Sequence, residues 1–215
     1  MLAEAVVDDR IAPSALVTGG ASGFGKAICD ALAREGYLVA VADRDEVGAR
    51  SVADACGGVA LTVDIADEES VVALLVRAHE ALDGKLDAIA IAAASIDPAA
   101  NSAVIDFVRE HARSVIGTHL CIREAAKVME RGGRICIVAP AAAETSALQA
   151  ATCGAMMALT RQAARSYATA GIAVNGVTPG PSASTQRVAD AVAWLLSPRA
   201  QSITGEVLSL NGSFS

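Results

Sequence analysis

Short aliphatic runs alternate along the chain with longer segments whose apolar positions recur at helical spacing, a pattern that predicts repeated βαβ units. Ala15-Leu-Val-Thr18 predicts a first strand ended by a glycine-rich turn, and Lys26 to Glu35 a helix stopped by Gly36. Leu38 to Ala42 predicts a second strand, followed by a helix through Ala55, and Val59 to Val63 a third strand. From about Glu68 to Leu82, Val71, Val72, Leu75 and Ala78 fall on one face of a helix. Ala88-Ile-Ala-Ile-Ala92 predicts a fourth strand, followed by a long helix from about Ala103 to Glu130. Ile135 to Val138 is a fifth strand, about Ala147 to Ala170 a helix, and Ile172 to Val177 a sixth strand. Ala189 to Leu196 is a last helix and Val207 to Leu210 a closing strand.

These strands are aliphatic throughout rather than alternating, as in a parallel sheet covered on both faces. The expected fold class is therefore α/β: one doubly wound, Rossmann-like parallel sheet with helices on both faces. A single domain over residues 1–215 accounts for the chain, with no linker or repeat interrupting it.

Composition agrees with that core. Hydrophobic residues make up 53% of the 215 positions but aromatics only 3%, so Ala, Val, Leu and Ile must fill the interior. A net charge of -7 argues against nucleic acid or an anionic membrane surface as a partner. No apolar stretch is free of charge and glycine for long enough to predict a membrane span. Met1 to Pro13 carries acidic residues and reads as a short leader into the first strand. Five scattered cysteines without metal-like spacing suggest reduced thiols, and with them a cytoplasmic location.

The turn Thr18-Gly-Gly-Ala-Ser-Gly-Phe-Gly25 lies between the first strand and the first helix. Glycines there permit a tight turn and close approach of backbone to a pyrophosphate, with the helix N-terminus aimed at the anion. Asp43 ends the second strand, where a carboxylate accepts hydrogen bonds from adenosine ribose hydroxyls and repels the extra phosphate of NADP. Two alternatives stay open: the Arg44 guanidinium pairing with such a phosphate, and Asp43 serving only as a helix cap. Asp64 and Ile65 end the third strand, beside the expected adenine edge.

The T-G-x-x-x-G-x-G pattern of Thr18 to Gly25 resembles the signature of the short-chain dehydrogenase/reductase family. Leu86-Asp87, Gly117-Thr-His-Leu120, Leu159-Thr-Arg161, Asn175-Gly-Val-Thr-Pro-Gly180 and Ile203-Thr-Gly205 follow in the family's order over nearly the whole chain. The resemblance implies a cofactor site of Thr18, Gly19, Ser22, Gly23, Phe24, Gly25, Asp43, Arg44, Asp64, Ile65, Ala92, Ala93, Pro179 and Gly180. NAD is the expected cofactor, NADP less so, and no metal is expected. It also implies dimers or tetramers built on the fourth and fifth helices and the C-terminal segment.

The family's chemistry uses a tyrosine and a lysine four residues apart on the fifth helix, a serine after the fifth strand and an asparagine in the fourth helix. Anchored on Leu159-Thr-Arg161, Gln149 takes the tyrosine position and Cys153 that of the lysine. Ser114 stands at the asparagine position, anchored by Gly117, and Pro140 at or beside the serine. Neither glutamine nor proline can transfer a proton. Among substitutes, the Cys153 thiol, the loop residues Glu144, Thr145 and Ser146, and the helical His111 and His119 all read as packing, capping or surface groups.

Between Pro179-Gly180 and a helix beginning near Val188 lie only Pro181 to Arg187, where the family carries a longer substrate-covering segment. The expectation is thus a catalytically inactive member retaining the nucleotide site. It would act as the non-catalytic subunit of a homo- or hetero-oligomer, with an active paralogue as natural partner. The rival readings are an active NAD(P)-dependent oxidoreductase with unorthodox acid–base groups, and a non-redox lyase, cyclase or nucleotide-sensing regulator on the same fold.

Overall fold

In the computed structural model, residues 12–92, 111–140 and 147–210 are described. Seven parallel strands form one sheet: β1 (Ser14–Thr18), β2 (Leu38–Asp43), β3 (Val59–Thr62), β4 (Ala88–Ala92), β5 (Arg134–Val138), β6 (Ala173–Pro179) and β7 (Val207–Leu210). Their order is β3-β2-β1-β4-β5-β6-β7, so the expected doubly wound sheet is borne out. The helices are α1 (Gly23–Arg34), α2 (Glu46–Cys56), α3 (Glu68–Ala81), α4 (Gly117–Val128), α5 (Ala147–Tyr167) and α6 (Thr185–Leu196). A short 3-10 turn, Pro198–Ala200, follows α6.

Alternate side chains of each strand enter two separate cores. Leu16, Ile89, Ile91, Ile135 and Ile137 face α3, α4 and α5, packing with Leu74, Leu75, Ile122 and Met156. The opposite face presents smaller groups, Ala88, Ala90, Ala92 and Cys136, to α1 and α6, which contribute Ile28, Leu32, Val188, Val192 and Leu196. This explains the alanines of β4. Small side chains on that face leave room for α1 and α6 to pack against each other as well as against the sheet.

Two sequence motifs turn out to be clasps of the fold. Asp87 Oδ2 accepts from the Ser14 N–H at 2.9 Å and the Ser14 hydroxyl at 3.1 Å, tying β4 to β1 where they enter the sheet. Asn175, only 1% exposed, donates to the Ile203 carbonyl at 2.9 Å and accepts from the Glu206 N–H at 3.1 Å, which fixes the approach to β7.

Some boundaries differ from expectation. The first helix starts at Gly23 rather than Lys26, directly on the glycine turn. The last starts at Thr185 rather than near Val188, because the Ser184 hydroxyl accepts from the Arg187 N–H and caps it. The predicted helix over 103–130 lies partly outside the described residues. Its described part opens with a π-helical turn, Ala112–Ile116, and ends at Val128.

Candidate functional site

The carboxyl ends of β1 to β5 open into one cleft of about 380 Å3, at the switch point where the strand order reverses between β1 and β4. Its floor is the turn from Gly19 to Gly25. Gly19 has φ +68°, and a Cβ there would come within 2.6 Å of the Ala92 carbonyl oxygen. A Cβ on Gly25 would collide with the Gly19 carbonyl. Only glycine at both places lets the end of β1 lie against β4 and lets α1 start so close to the turn.

The N-terminus of α1 is treated differently from its neighbours. Asp45, Asp67 and Ser184 cap α2, α3 and α6 with their side chains. Ser22, the N-cap of α1, makes no such hydrogen bond, and the first turn holds no acidic residue. The first N–H groups of α1 and the positive end of its dipole are therefore presented to the cleft, as an anion site requires.

Asp43 is locked beside this turn. Its Oδ2 accepts from the Ala21 N–H and its Oδ1 from the Asp45 N–H, both at 3.0 Å. Each oxygen keeps a further lone pair for a sugar hydroxyl. The cap of α2 is Asp45, not Asp43, so the helix-cap alternative for Asp43 falls away. Arg44 is exposed at the rim. Asp64 Oδ1 accepts from the Ala66 N–H at 3.0 Å, and its N–H donates to Ser70 Oγ at 3.0 Å, shaping the turn after β3. An uncapped helix N-terminus, a backbone-held carboxylate beside the glycine turn and the apolar Ile65 in the same lining fit a dinucleotide.

Of the residues named for the cofactor, Gly19, Ser22, Gly23, Phe24, Gly25, Asp43, Arg44, Asp64, Ile65 and Ala92 line this cleft. Thr18 does not, because as the last residue of β1 its side chain is fully buried. Pro179 and Gly180 do not either: Pro179 pairs with Leu210 in the β6–β7 ladder, and the Gly180 N–H is spent on the Leu210 carbonyl at 2.8 Å. Ala93 lies outside the described residues. The sequence reading missed Val63, Arg113, Ala139 and Thr185. Thr185 carried a legible signal, the capping serine before it. Arg113 carried only its place one residue before Ser114.

At the other end of the cleft stand Ala139 and Pro140. Ser114 sits in the π-helical turn, fully buried, its hydroxyl without a hydrogen-bond partner among the described residues. Its carbonyl accepts from the Thr118 hydroxyl at 2.6 Å. Cys153 is 6% exposed and belongs to the same core as Ile137 and Met156. Burial pushes its thiol above the usual range, with the nearby Thr178 hydroxyl offsetting little of that, so it is neutral at neutral pH. Gln149 lies on α5, its side chain outside the described residues, as are Glu144, Thr145 and Ser146. His111 Nδ1 approaches Thr152 Oγ1 at 3.4 Å, and His119 is exposed. No described helix is long and apolar enough to cross a membrane.

The pattern of the short chain dehydrogenases matches residues 13–195. The chain belongs to the short-chain dehydrogenase family. Members of this family bind NAD(P). The chain is 32% identical to 2,5-dichloro-2,5-cyclohexadiene-1,4-diol dehydrogenase of Sphingobium indicum, covering 97% of this chain and 99% of that protein. It is 34% identical to cis-4-hydroxycyclohexanecarboxylate dehydrogenase of Sinomonas cyclohexanicum over 93% of this chain and 95% of the relative. Among solved structures, hydroxysteroid dehydrogenase from Escherichia coli superposes with a TM-score of 0.87 at 25% identity, covering 94% and 96% of the two chains.

These relatives overturn the expectation of a catalytically inactive, non-catalytic subunit. Aligned over nearly their whole lengths, they are named for dehydrogenase activity. The physical step at fault was the inference from missing side chains to missing function. General acid–base groups contribute about a hundred- to ten-thousandfold, and the remainder of the acceleration comes from holding the reactants together. Absence of a tyrosine and a lysine therefore does not imply absence of catalysis.

Proposed function

We propose that this chain is an NAD-linked oxidoreductase that transfers hydride between the nicotinamide cofactor and a ring-bearing secondary alcohol or its ketone. The observation that carries this reading is the convergence in one cleft of the uncapped N-terminus of α1, the Gly19–Gly25 turn and the backbone-locked Asp43 carboxylate. Asp43 favours NAD over NADP, because a second negative charge beside a fixed carboxylate is repelled. The ring-bearing substrate class rests on the names of the two relatives, both of which act on cyclohexane-type rings.

When bound, NAD+ supplies the hydride acceptor. The first N–H groups of α1 would bind its pyrophosphate, and Asp43 would accept from its ribose hydroxyls. Ala139 and Pro140, which line the cleft beyond the nucleotide end, offer no side-chain proton acceptor. With Cys153 neutral as well, none of these described residues would take the hydroxyl proton of the alcohol, which would pass to solvent as the bound cofactor supplied hydride acceptance. Alcohol oxidation is then slow at pH 7 and accelerates as hydroxide rises.

The test follows nicotinamide absorbance with the purified chain, NAD+ or NADP+ and a panel of substituted cyclohexanols across pH, alongside calorimetric titration of both cofactors. The expected result is tighter binding of NAD and turnover that climbs with pH. NAD binding without any turnover at alkaline pH and stoichiometric enzyme would sink the oxidoreductase reading. No binding at all would sink the site.

A further inference from the structure

Among the described residues two guanidinium groups line the cleft, and they are placed differently. Arg44 is exposed at the rim, whereas Arg113 is half-buried in the π-helical turn that leads into α4. That turn is anchored over the end of β3. A Cβ on Gly117 would come within 2.7 Å of the Ile65 carbonyl oxygen and 2.9 Å of its Cγ1, so α4 lies directly on Ile65 at this point. Residues 113 and 117 share a helix face, and a helical side chain covers the surface on the N-terminal side of its own Cα. Arg113 therefore stands one turn before the contact with Ile65 on the same helix face, and it lines the cleft together with Val63, Asp64 and Ile65.

The order of the ligand's parts fixes what meets it there. The pyrophosphate belongs at the N-terminus of α1 and the first sugar at Asp43, so the next group outward is the base. We propose that Arg113 is a base-binding residue whose guanidinium plane stacks on the purine ring of the bound nucleotide, with Ile65 as the adjoining apolar wall. This rests on the nucleotide reading of the cleft and adds a residue to it. Stacking uses the faces of the guanidinium and leaves its N–H donors, which lie in the plane, to other partners in the protein. A lysine could supply the same charge at Arg113 but no such plane.

The experiment titrates NAD and AMP calorimetrically into the unaltered chain and into Arg113→Ala, Arg113→Lys and Arg113→Tyr, with thermal melts to confirm that each variant folds. AMP is the informative probe because it contains the base and the first sugar but no nicotinamide. Arg113→Ala and Arg113→Lys are each expected to weaken both ligands about tenfold, as for loss of one stacked base. Arg113→Tyr, which restores a neutral plane, is expected to stay within about threefold of the unaltered chain. Should Arg113→Lys bind as well as the unaltered chain, the group acts as a point charge and stacking is wrong. AMP affinity unchanged in Arg113→Ala overturns the assignment altogether, while an unaltered chain that binds neither NAD nor AMP overturns the nucleotide reading beneath it.

Discussion

The nucleotide end and the reaction end of the cleft are made of the same parts, the carboxyl ends of parallel strands and the helices that follow them. They carry their chemistry differently. At the nucleotide end it is mostly backbone: N–H groups of α1, a turn of glycines and one carboxylate held by two backbone N–H groups. At the reaction end the family's chemistry is carried by side chains, and the motif spacing of the sequence sets Ser114, Pro140, Gln149 and Cys153 against those places as an expectation. The contrast has a physical origin. Gly19 and Gly25 are required by packing against Ala92 and by the start of α1, so altering them damages the fold as well as the site. A proline or a buried cysteine at the other end costs the fold nothing and suits its core.

That account is easiest to break at Gly25. A valine there would press its Cβ into the Gly19 carbonyl and force α1 off the turn. NAD affinity should fall by more than about a hundredfold, and stability by several kcal/mol, in the manner of overpacked sites (about 1–3 kcal/mol, occasionally more). Calorimetry and thermal melts check both. A Gly25→Val chain that binds NAD normally would show that the turn is not what holds the nucleotide.

The reaction end is sharpened by Gln149→Tyr. A phenol at that point of α5 supplies a proton acceptor that Ala139, Pro140 and the neutral Cys153 do not, but without a neighbouring lysine its pKa stays about 10. Alcohol oxidation should rise about tenfold at pH 10 and hardly at all at pH 7, since only the phenolate accepts the proton. Steady-state rates of both chains over that range decide it. An equal gain at both pH values would mean that the tyrosine acts by positioning rather than by proton transfer.

Much of this was legible in the sequence, for reasons that vary by residue. Periodicity located the strands, because aliphatic runs buried on both faces leave little else for them to be, and the glycine turn lay where the first such run ended. Asp43 was readable for the same reason, as a polar residue closing a strand. The reach of Arg113 into the cleft was not, since it depends on Gly117 letting α4 down onto Ile65, a contact between residues 52 positions apart. Nor was the structural duty of Asn175, which looks like a site residue by its neighbours and is a clasp for the Ile203–Glu206 segment. Function was misjudged at the reaction end because a list of side chains omits what positioning alone achieves.

The smallest expected effect concerns the thiols, and it separates packing from chemistry within the same half of the sheet. Burial pushes Cys121 up to about 12 and raises Cys136 and Cys153 as well. A thiol whose folded pKa lies above its unfolded value stays protonated in the native state while the unfolded chain ionises. Its stabilisation is therefore complete below the unfolded pKa of about 8.5 and is lost as pH rises from there toward the folded value. Unfolding free energy should accordingly be level at neutral pH and decline above about pH 8.5, with Cys121 contributing up to about 1.4 kcal/mol per pH unit. Cys121→Ala should flatten that decline measurably in denaturant titrations. Cys153→Ala should flatten it less, the thiol being held less far from solvent, and should leave turnover at pH 7 within about twofold. A large loss of rate in Cys153→Ala would instead make the thiol a working acid–base group, and the reaction end would then depend on a side chain after all.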